Sequence, residues 1–415
     1  MANILILTLV FPPDSVSTAQ IMGDLVMDLQ TRGHAVTVLT TSPHYNRDLE
    51  AESRQPLTPY WGSILRRSRY QSMPVYHTFM PKKGKNIMLR LSAWLGFHLL
   101  STVAGLTIIP KPDVIIVPSP PLTIGLSAWI LGALRRAPFI YNVQEIYPDI
   151  AIRLGAVRNR QLIRLLFGLE RFVYNKAGKV TVIAPRMRER LLEKGVPEDK
   201  VTVVPNFVDV SDLQPLPKDN PFSRRHGVHD KFVISYAGNL GPAQGLETFI
   251  EAARLLQDNP SIHFMIMGDG ILRETLRQRV AELALRNLTF LPHQPYSLVP
   301  QIYATSDLNL VPQAAETGFD AVPSKVYRIM ACARPVLAVT DPSSDLGQLV
   351  LDAQCGIVVA PGAPDALSEI IRTASCDRER WRQMGEAGRR HVVENYARTV
   401  ITDRYLALIQ DAMAQ

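Results

Sequence analysis

The stretch 232–256, FVISYAGNLGPAQGLETFIEAARLL, constrains the fold more than any other part of the chain. It opens on an apolar run at 232–237, the length of one buried strand. A loop with three glycines and a proline follows, Gly238-Asn239-Leu240-Gly241-Pro242-Ala243-Gln244-Gly245. Leu246, Phe249, Ile250, Ala253 and Leu256 then recur at helical spacing. A strand, a glycine loop and a helix in that order expose backbone N–H groups and a positive helix end to a phosphate. The same pattern also describes a tight turn whose glycines serve packing alone, so the neighbouring segments must decide.

The rest of the chain repeats the rhythm. ANILILTLV at 2–10 is a buried-strand pattern closed by Phe11-Pro12-Pro13-Asp14. A loop through Ser15, Ser17 and Thr18 leads into a helix with Ile21, Leu25, Val26 and Leu29 on one face, and AVTVLT at 35–40 is the next strand. This is a Rossmann-type βαβ opening. It lacks the G-x-G-x-x-G fingerprint, which argues against a nicotinamide enzyme. Strands at 113–117, 138–143, 179–183 and 200–204 alternate with helices at 122–134, 160–176 and 185–194. Gln144-Glu145-Ile146-Tyr147-Pro148-Asp149 stands at the carboxyl end of the 138–143 strand, where open α/β sheets hold ligands.

Pro205-Asn206-Phe207-Val208-Asp209 and the proline-rich run to Lys231 form the clearest break in composition. The chain of 415 residues is too long for one ordinary core. The expected fold is therefore α/β, with two Rossmann-like, doubly wound domains at 1–205 and 206–396 facing a cleft, and a helix at 397–415 returning to the first. Beyond the break, strands at 262–267, 288–291, 307–311, 335–339 and 355–359 alternate with helices at 271–284, 324–333, 365–373 and 378–396.

Charge and cysteine usage narrow the chemistry. Lys and Arg number 45 against 38 Asp and Glu, which favours anionic partners without choosing among them. Cys332, Cys355 and Cys376 show neither metal-ligand spacing nor a pairing framework, so a reducing compartment is expected. No basic segment precedes the first apolar run, which is not read as a signal peptide. The G-x-S-x-G elbow, H-E-x-x-H and the Walker A loop are absent, and the nine histidines are scattered. Basic residues do not interleave with aromatics on a predicted strand face, so nucleic acid is not an expected partner.

The segment 66–110 stands apart. Arg66, Arg67, Arg69, Lys82, Lys83, Lys85 and Arg90 precede an apolar run at 91–109. A spanning helix is one reading, weakened by Arg90, His98 and Gly105 and by a run that barely reaches spanning length. A basic collar beside an aromatic, apolar helix better fits a surface dipping into an anionic leaflet, and an ordinary domain helix is the remaining alternative.

Phe11-Pro12-Pro13, Arg32-Gly33-His34-Ala35-Val36-Thr37-Val38, Pro205-Asn206-Phe207-Val208-Asp209, Gly268-Asp269-Gly270 and Arg334-Pro335-Val336 fall in an order that resembles glycosyltransferase family 4. The 237–245 loop and Pro323-Ser324-Lys325 resemble its bacterial surface-polysaccharide subgroup, which includes O-antigen N-acetylfucosaminyltransferases and colanic-acid enzymes. The resemblance implies a GT-B fold and retaining transfer from a UDP-sugar, such as N-acetyl-L-fucosamine, to a polyprenyl-diphosphate-linked glycan. It implies a peripheral protein at the cytoplasmic face of the plasma membrane, with no cofactor or metal. A GDP-mannose or UDP-glucose transferase of the same fold, or a non-catalytic nucleotide-sugar-binding module, is the alternative.

The same resemblance distributes the roles. Gly238, Asn239, Gln244, Gly245, Gly268, Asp269, Gly270, Pro292 and Gln294 would line the donor pocket. Asn239 and Gln244 stand where most members carry an arginine and a lysine that neutralise the diphosphate. Lys325, after Ser324 at a helix start, is the replacement cation, or else a solvated surface lysine. Arg328 falls where the family's second glutamate binds ribose, and Glu316 or Asp320 replaces the first. Glu145, with Tyr147, Ser15, Ser17 and Thr18, would face the acceptor, where Glu145 either takes a proton, orients the sugar or caps its strand.

Overall fold

The computed structural model describes residues 1–14, 16–44, 49–81, 87–153, 155–315 and 322–414, with backbone alone at 49, 87, 88, 90 and 91. The chain separates into two compact units, Met1–Asn206 with Arg398–Gln415, and Phe207–Ala397.

The first unit is built on nine strands among the described residues. They are β1 (Asn3–Leu7), β2 (Ala35–Thr41), β3 (Thr58–Tyr60), β4 (Leu65–Tyr70), β5 (Met73–Thr78), β6 (Val114–Pro118), β7 (Phe139–Val143), β8 (Lys179–Val182) and β9 (Val201–Val203). Their spatial order is β3-β4-β5-β2-β1-β6-β7-β8-β9, and only the β3/β4 and β4/β5 pairs are antiparallel. Ile4, Leu5, Ile6 and Leu7 of β1 and the whole of β6 are buried. That continuous burial is what a parallel strand sandwiched between helices requires. The order reverses between β1 and β6, so the loops after these strands open a crevice at their carboxyl ends.

The described part of residues 66–110 separates the three arginines of β4 from the apolar helix. Arg66, Arg67 and Arg69 lie in β4, in register with His77, Tyr76 and Pro74 of β5, and the β5 strand separates them from the next helix. Lys82, Lys83 and Lys85 lie outside the described residues. The helix Ile87–Thr107 packs on the helix Ile124–Arg135 as a domain helix does. His98 Nε2 is 2.8 Å from Thr123 Oγ1 and its Nδ1 is 3.1 Å from Ser127 Oγ, which gives this ring in an apolar helix two partners. Among the described residues no helix is long and apolar enough to cross a membrane.

The last helix, Arg398–Met413, belongs to the first unit through charge as well as packing. Arg398 donates to both Asp28 carboxylate oxygens, at 2.9 and 2.7 Å, and Thr402 donates to the same carboxylate at 2.8 Å. Lys179 pairs with Asp411 at 2.6 Å, and Tyr405 and Ile409 are buried.

The second unit carries six parallel strands among the described residues: β10 (Phe232–Asn239), β11 (Ile262–Asp269), β12 (Leu288–Leu291), β13 (Leu308–Pro312), β14 (Val336–Val339) and β15 (Gly356–Val359). Their order is β12-β11-β10-β13-β14-β15, which reverses between β10 and β13. Phe232, Ile234, Tyr236, Phe264 and Ile266 point into one buried cluster, with the Phe249 ring 5.1 Å from Phe264. Each such side chain contributes about 1.5–3 kcal/mol by leaving water. The core thus clamps the two strands whose ends carry the glycine turns.

Candidate active site

β10 runs two residues past the apolar stretch because its end is paired rather than free. Gly238 lies opposite Gly268 and Asn239 opposite Asp269 in the parallel ladder with β11. The backbones there are so close that a Cβ on Gly268 would sit 1.8 Å from the Gly238 carbonyl oxygen. One on Gly270 would sit 2.3 Å from the Leu240 oxygen. These two glycines therefore answer to backbone approach, which ties the two turns into one rigid rim. Leu291, the last residue of β12, pairs with Met267, so Pro292 begins the turn just past that strand's end.

The turn after β10 is stitched to itself. The N–H of Leu240 donates to the Asp269 carbonyl at 2.8 Å, and that of Gly241 to Gln244 Oε1 at 3.0 Å. Gln244 and Gly245 N–H groups close the short turn on Gly241 and Pro242. Gly245 sits at φ +54°, the left-handed geometry that glycine adopts without strain. Ala314, just past β13, donates to the Ala243 carbonyl at 2.8 Å, which brings the turn over the reversal between β10 and β13. With those four N–H groups committed, a diphosphate at this rim needs positive charge from elsewhere.

Lys325 supplies it. It is the first residue of the helix Lys325–Ala331, and its ammonium lies 4.0 Å from the centroid of the Tyr236 ring on β10. A Cβ on Gly238 would meet Lys325 Nζ at 2.5 Å, so the ammonium rests against the rim itself. Burial, with the nearby Arg328 guanidinium adding to it, pushes the Lys325 ammonium down to about 7. Arg328 stands one turn along, 5.3 Å from the Tyr296 ring centroid. Tyr236 is fixed in turn by donating to the Asn239 carbonyl at 2.5 Å. A cation held over a ring face in a dry setting keeps its attraction for a phosphate and loses part of its hydration beforehand.

The remaining donor-side residues are placed as follows. Asp269 is exposed, accepts from the Gly270 N–H at 2.9 Å and lies 3.8 Å from Arg273. Gln294 donates to the Pro292 carbonyl at 2.8 Å, closing the turn after β12. Ser324 precedes the Lys325 helix without a side-chain cap bond. Glu316 and Asp320 lie outside the described residues.

In the first unit, Glu145 and Tyr147 follow β7 and are half-buried, while Ser17 and Thr18 open the helix Ser17–Thr31. Ser15 lies outside the described residues. Beneath Glu145 sits a buried amide network: Gln144 Nε2 donates to Asn142 Oδ1 at 2.7 Å. Asn142 Nδ2 donates to Thr181 Oγ1 at 2.8 Å and to Tyr405 Oη at 3.1 Å. Asp149, at the other end of that turn, accepts from Arg190 and Lys194, and Lys194 also donates to Glu170 at 2.7 Å. The paired cations hold the Asp149 carboxyl below its usual range against the opposing pull of burial, whereas burial raises that of Glu170. Sequence reasoning did not single out Asn142, Tyr405, Tyr236 or Tyr296. For Asn142 and Tyr236 the one local signal is an amide or tyrosine inside an otherwise apolar strand, whereas Tyr405 and Tyr296 lie on helical segments and carry none. Among the described residues no cluster of His, Cys, Asp and Glu could hold a metal ion.

Two family profiles match the chain: "Glycosyl transferases group 1" over residues 219–391 and "Glycosyl transferase 4-like domain" over residues 18–206. The chain is 28% identical over 390 residues to the putative colanic acid biosynthesis glycosyl transferase WcaI of Escherichia coli (strain K12), covering 90% of this chain and 92% of that one. It is 23% identical to the probable glycosyltransferase WbjE of Pseudomonas aeruginosa, over 81% of this chain and 84% of that one. Among solved structures, Anabaena Alr3699/HepE in complex with UDP-glucose superposes with TM-score 0.73 at 17% identity, covering 99% of this chain and 100% of that one. WaaG, a glycosyltransferase involved in lipopolysaccharide biosynthesis, superposes with TM-score 0.67 at 14% identity, over 98% and 99% of the two chains. The two-sheet α/β architecture is that of the GT-B fold.

Proposed function

The chain belongs to the group 1 and 4-like glycosyl transferases and is a nucleotide-sugar-dependent glycosyltransferase of polysaccharide biosynthesis; within that class we propose that it moves an N-acetylated amino sugar, such as N-acetyl-L-fucosamine, from UDP to a polyprenyl-diphosphate-linked glycan. The observation that carries the donor side is the Lys325 ammonium against Gly238, at the carboxyl rim where β10 and β13 diverge. Crevices at such reversals hold nucleotides in open α/β sheets.

In this reaction the C–O bond between the sugar's anomeric carbon and the diphosphate breaks, and a bond to the acceptor hydroxyl oxygen forms on the same face. The hydroxyl proton passes to the departing diphosphate oxygen. Lys325, charged once the diphosphate is in place, meets the further negative charge that grows on it as the bond breaks. Arg328 and the Pro292–Gln294 turn face the nucleoside. Glu145 orients the acceptor sugar from a turn braced by Gln144 and Asn142. No metal is assigned a role.

The first unit also carries exposed leucines, Leu95 and Leu99 on one helix and Leu134 on its packed neighbour, together with Arg135 and Arg136. These support docking on an anionic leaflet from the cytoplasmic side, which brings the acceptor's lipid within reach.

The test is turnover of radiolabelled UDP-N-acetyl sugars, UDP-glucose and GDP-mannose with a polyprenyl-diphosphate disaccharide. Product from the UDP-amino sugar and none from GDP-mannose is expected. Product from GDP-mannose alone overturns the base assignment, and donor binding without product from any donor makes the protein a nucleotide-sugar sensor.

A further inference from the structure

A cavity of ≈ 780 Å³ opens in the first unit, lined by Pro12 and Pro13 after β1, by Arg54 and Gln55 at the end of the helix Leu49–Arg54, and by Arg67 and Arg69 of β4. Arg67 is half-buried there. Its guanidinium carbon lies 5.8 Å from the Tyr60 ring centroid and 5.6 Å from that of Tyr76. Two ring faces hold the plane of the guanidinium without consuming its N–H donors. Arg54 is balanced by Glu50, but among the described residues neither Arg67 nor Arg69 has a carboxylate within ion-pair distance. Two unneutralised guanidiniums therefore share one cavity.

The cavity also exposes a Ser–His pair to scrutiny as a hydrolase. His77 is buried and neutral, since burial pushes it down to about 4. Its Nδ1–H donates to the Thr41 carbonyl at 2.9 Å, leaving Nε2 to accept from the Ser68 hydroxyl at 2.7 Å. Ser68 in turn accepts from Gln55 Nε2 at 3.0 Å and is buried. The hydroxyl is saturated and shielded, so the triplet is a strut that fixes β4 and the Gln55 end of the helix. It sets the wall from which Arg67 and Arg69 project and performs no acyl transfer.

We propose that this cavity is an oxyanion subsite, in which the Arg67 guanidinium, held by two tyrosine rings, and Arg69 take a phosphoryl or carboxylate group. A planar fork with free donors matches such a group bidentately. In a polysaccharide transferase the group belongs to the acceptor, either its lipid diphosphate or the carboxylate of an acidic sugar. The subsite stands independently of the UDP assignment, because it lies in the other unit from Lys325.

The experiment is titration calorimetry of the full chain with sodium pyrophosphate, inorganic phosphate and D-glucuronate, each against sodium chloride at equal ionic strength. All titrations use the Lys325→Ala background, which removes the donor-rim cation, and this protein is expected to bind pyrophosphate at the subsite. Arg67→Gln and Arg69→Gln are each expected to weaken it about ten- to a hundred-fold. Thermal melting of each variant confirms that it is folded, and Arg69→Gln, at an exposed position, carries the test should Arg67→Gln unfold. A preference for pyrophosphate identifies the lipid diphosphate as source, and a preference for glucuronate identifies an acidic sugar. Anion binding no stronger than chloride, or binding unchanged in both folded arginine variants, overturns the proposal.

Discussion

Nucleotide binding by this protein should take up a proton, and Lys325 should be where it goes. Burial against Tyr236, reinforced by Arg328, sets the Lys325 ammonium at about 7 with no anion present. At pH 8 only about one-tenth of the protein then carries that charge. A diphosphate beside Nζ favours the charged form, so the bound state stays protonated well above 7. Binding at pH 8 is therefore accompanied by uptake of about 0.9 proton. Affinity falls about tenfold per pH unit above 8 until the bound-state value is reached. The nucleotide's own phosphate has finished ionising by then, since its second ionisation lies near pH 6. The sign also fixes a companion effect: the depressed value makes the unfolded chain bind the extra proton, so the ligand-free second unit gains stability as pH rises from about 7 toward 10.5. Calorimetry of UDP in buffers of differing ionisation enthalpy reads the proton count from the slope of observed heat against that enthalpy. A slope near zero at pH 8, or an unchanged slope in Lys325→Met, refutes the reasoning.

Three other consequences are open to direct measurement. Gly268→Ala drives a methyl group to within 1.8 Å of the Gly238 carbonyl oxygen, backbone that has no room to yield, so it should destabilise the second unit by more than about 3 kcal/mol or abolish UDP binding; a wild-type denaturation midpoint with intact binding would contradict the rim geometry. His77 and His263 are both buried and held down to about 4, so each contributes stability that is complete above 6.5 and lost as pH falls from 6.5 to about 4, on the order of 3 kcal/mol apiece; pH-dependent unfolding of His77→Asn should show a shallower acid limb, and an unaltered one argues against a neutral buried imidazole. Tyr405→Phe removes the acceptor of an Asn142 N–H bond and should raise the acceptor KM severalfold while leaving the donor KM unchanged, because the network reaches Gln144 rather than the Lys325 rim; equal effects on both constants would point to general destabilisation.

The parallel strands and their helices were legible because burial on both faces demands continuous apolar runs, and those runs are local. The β3–β4–β5 edge was not legible, for three physical reasons visible in its residues. LRRSRY carries three arginines, because an antiparallel strand with one covered face need not be apolar. Its turns carry only part of the usual signal: Gly62 at φ +63° is flanked by Trp61 and Ser63 at +47° and +68°, and the next turn has Gln71 at +54°, positions that ordinarily favour glycine or asparagine. Arg67 gains from two tyrosines on different strands, a stabilisation that no window of neighbouring residues contains.

The donor rim divides in the same way. Its glycines were legible because a backbone approaching another at Gly268 and Gly270 tolerates nothing else, and that demand is written at the position itself. The charge was only half legible. Asn239 and Gln244 stand where an arginine and a lysine would neutralise a diphosphate, and the sequence shows that loss without showing what the amides do. Gln244 accepts from the Gly241 N–H and holds the turn's shape, so the loop has exchanged a cation for rigidity. The cation returns from a distant helix, where Lys325 meets Tyr236 across the sheet's reversal. The relocation changes the chemistry as well as the address. A lysine on an exposed glycine turn stays charged at every physiological pH, whereas one pressed against a ring and brought down to about 7 is charged mainly when an anion arrives. With the donor site proposed above, binding of the diphosphate and charging of its partner become one event, and the proton taken up is its measurable trace.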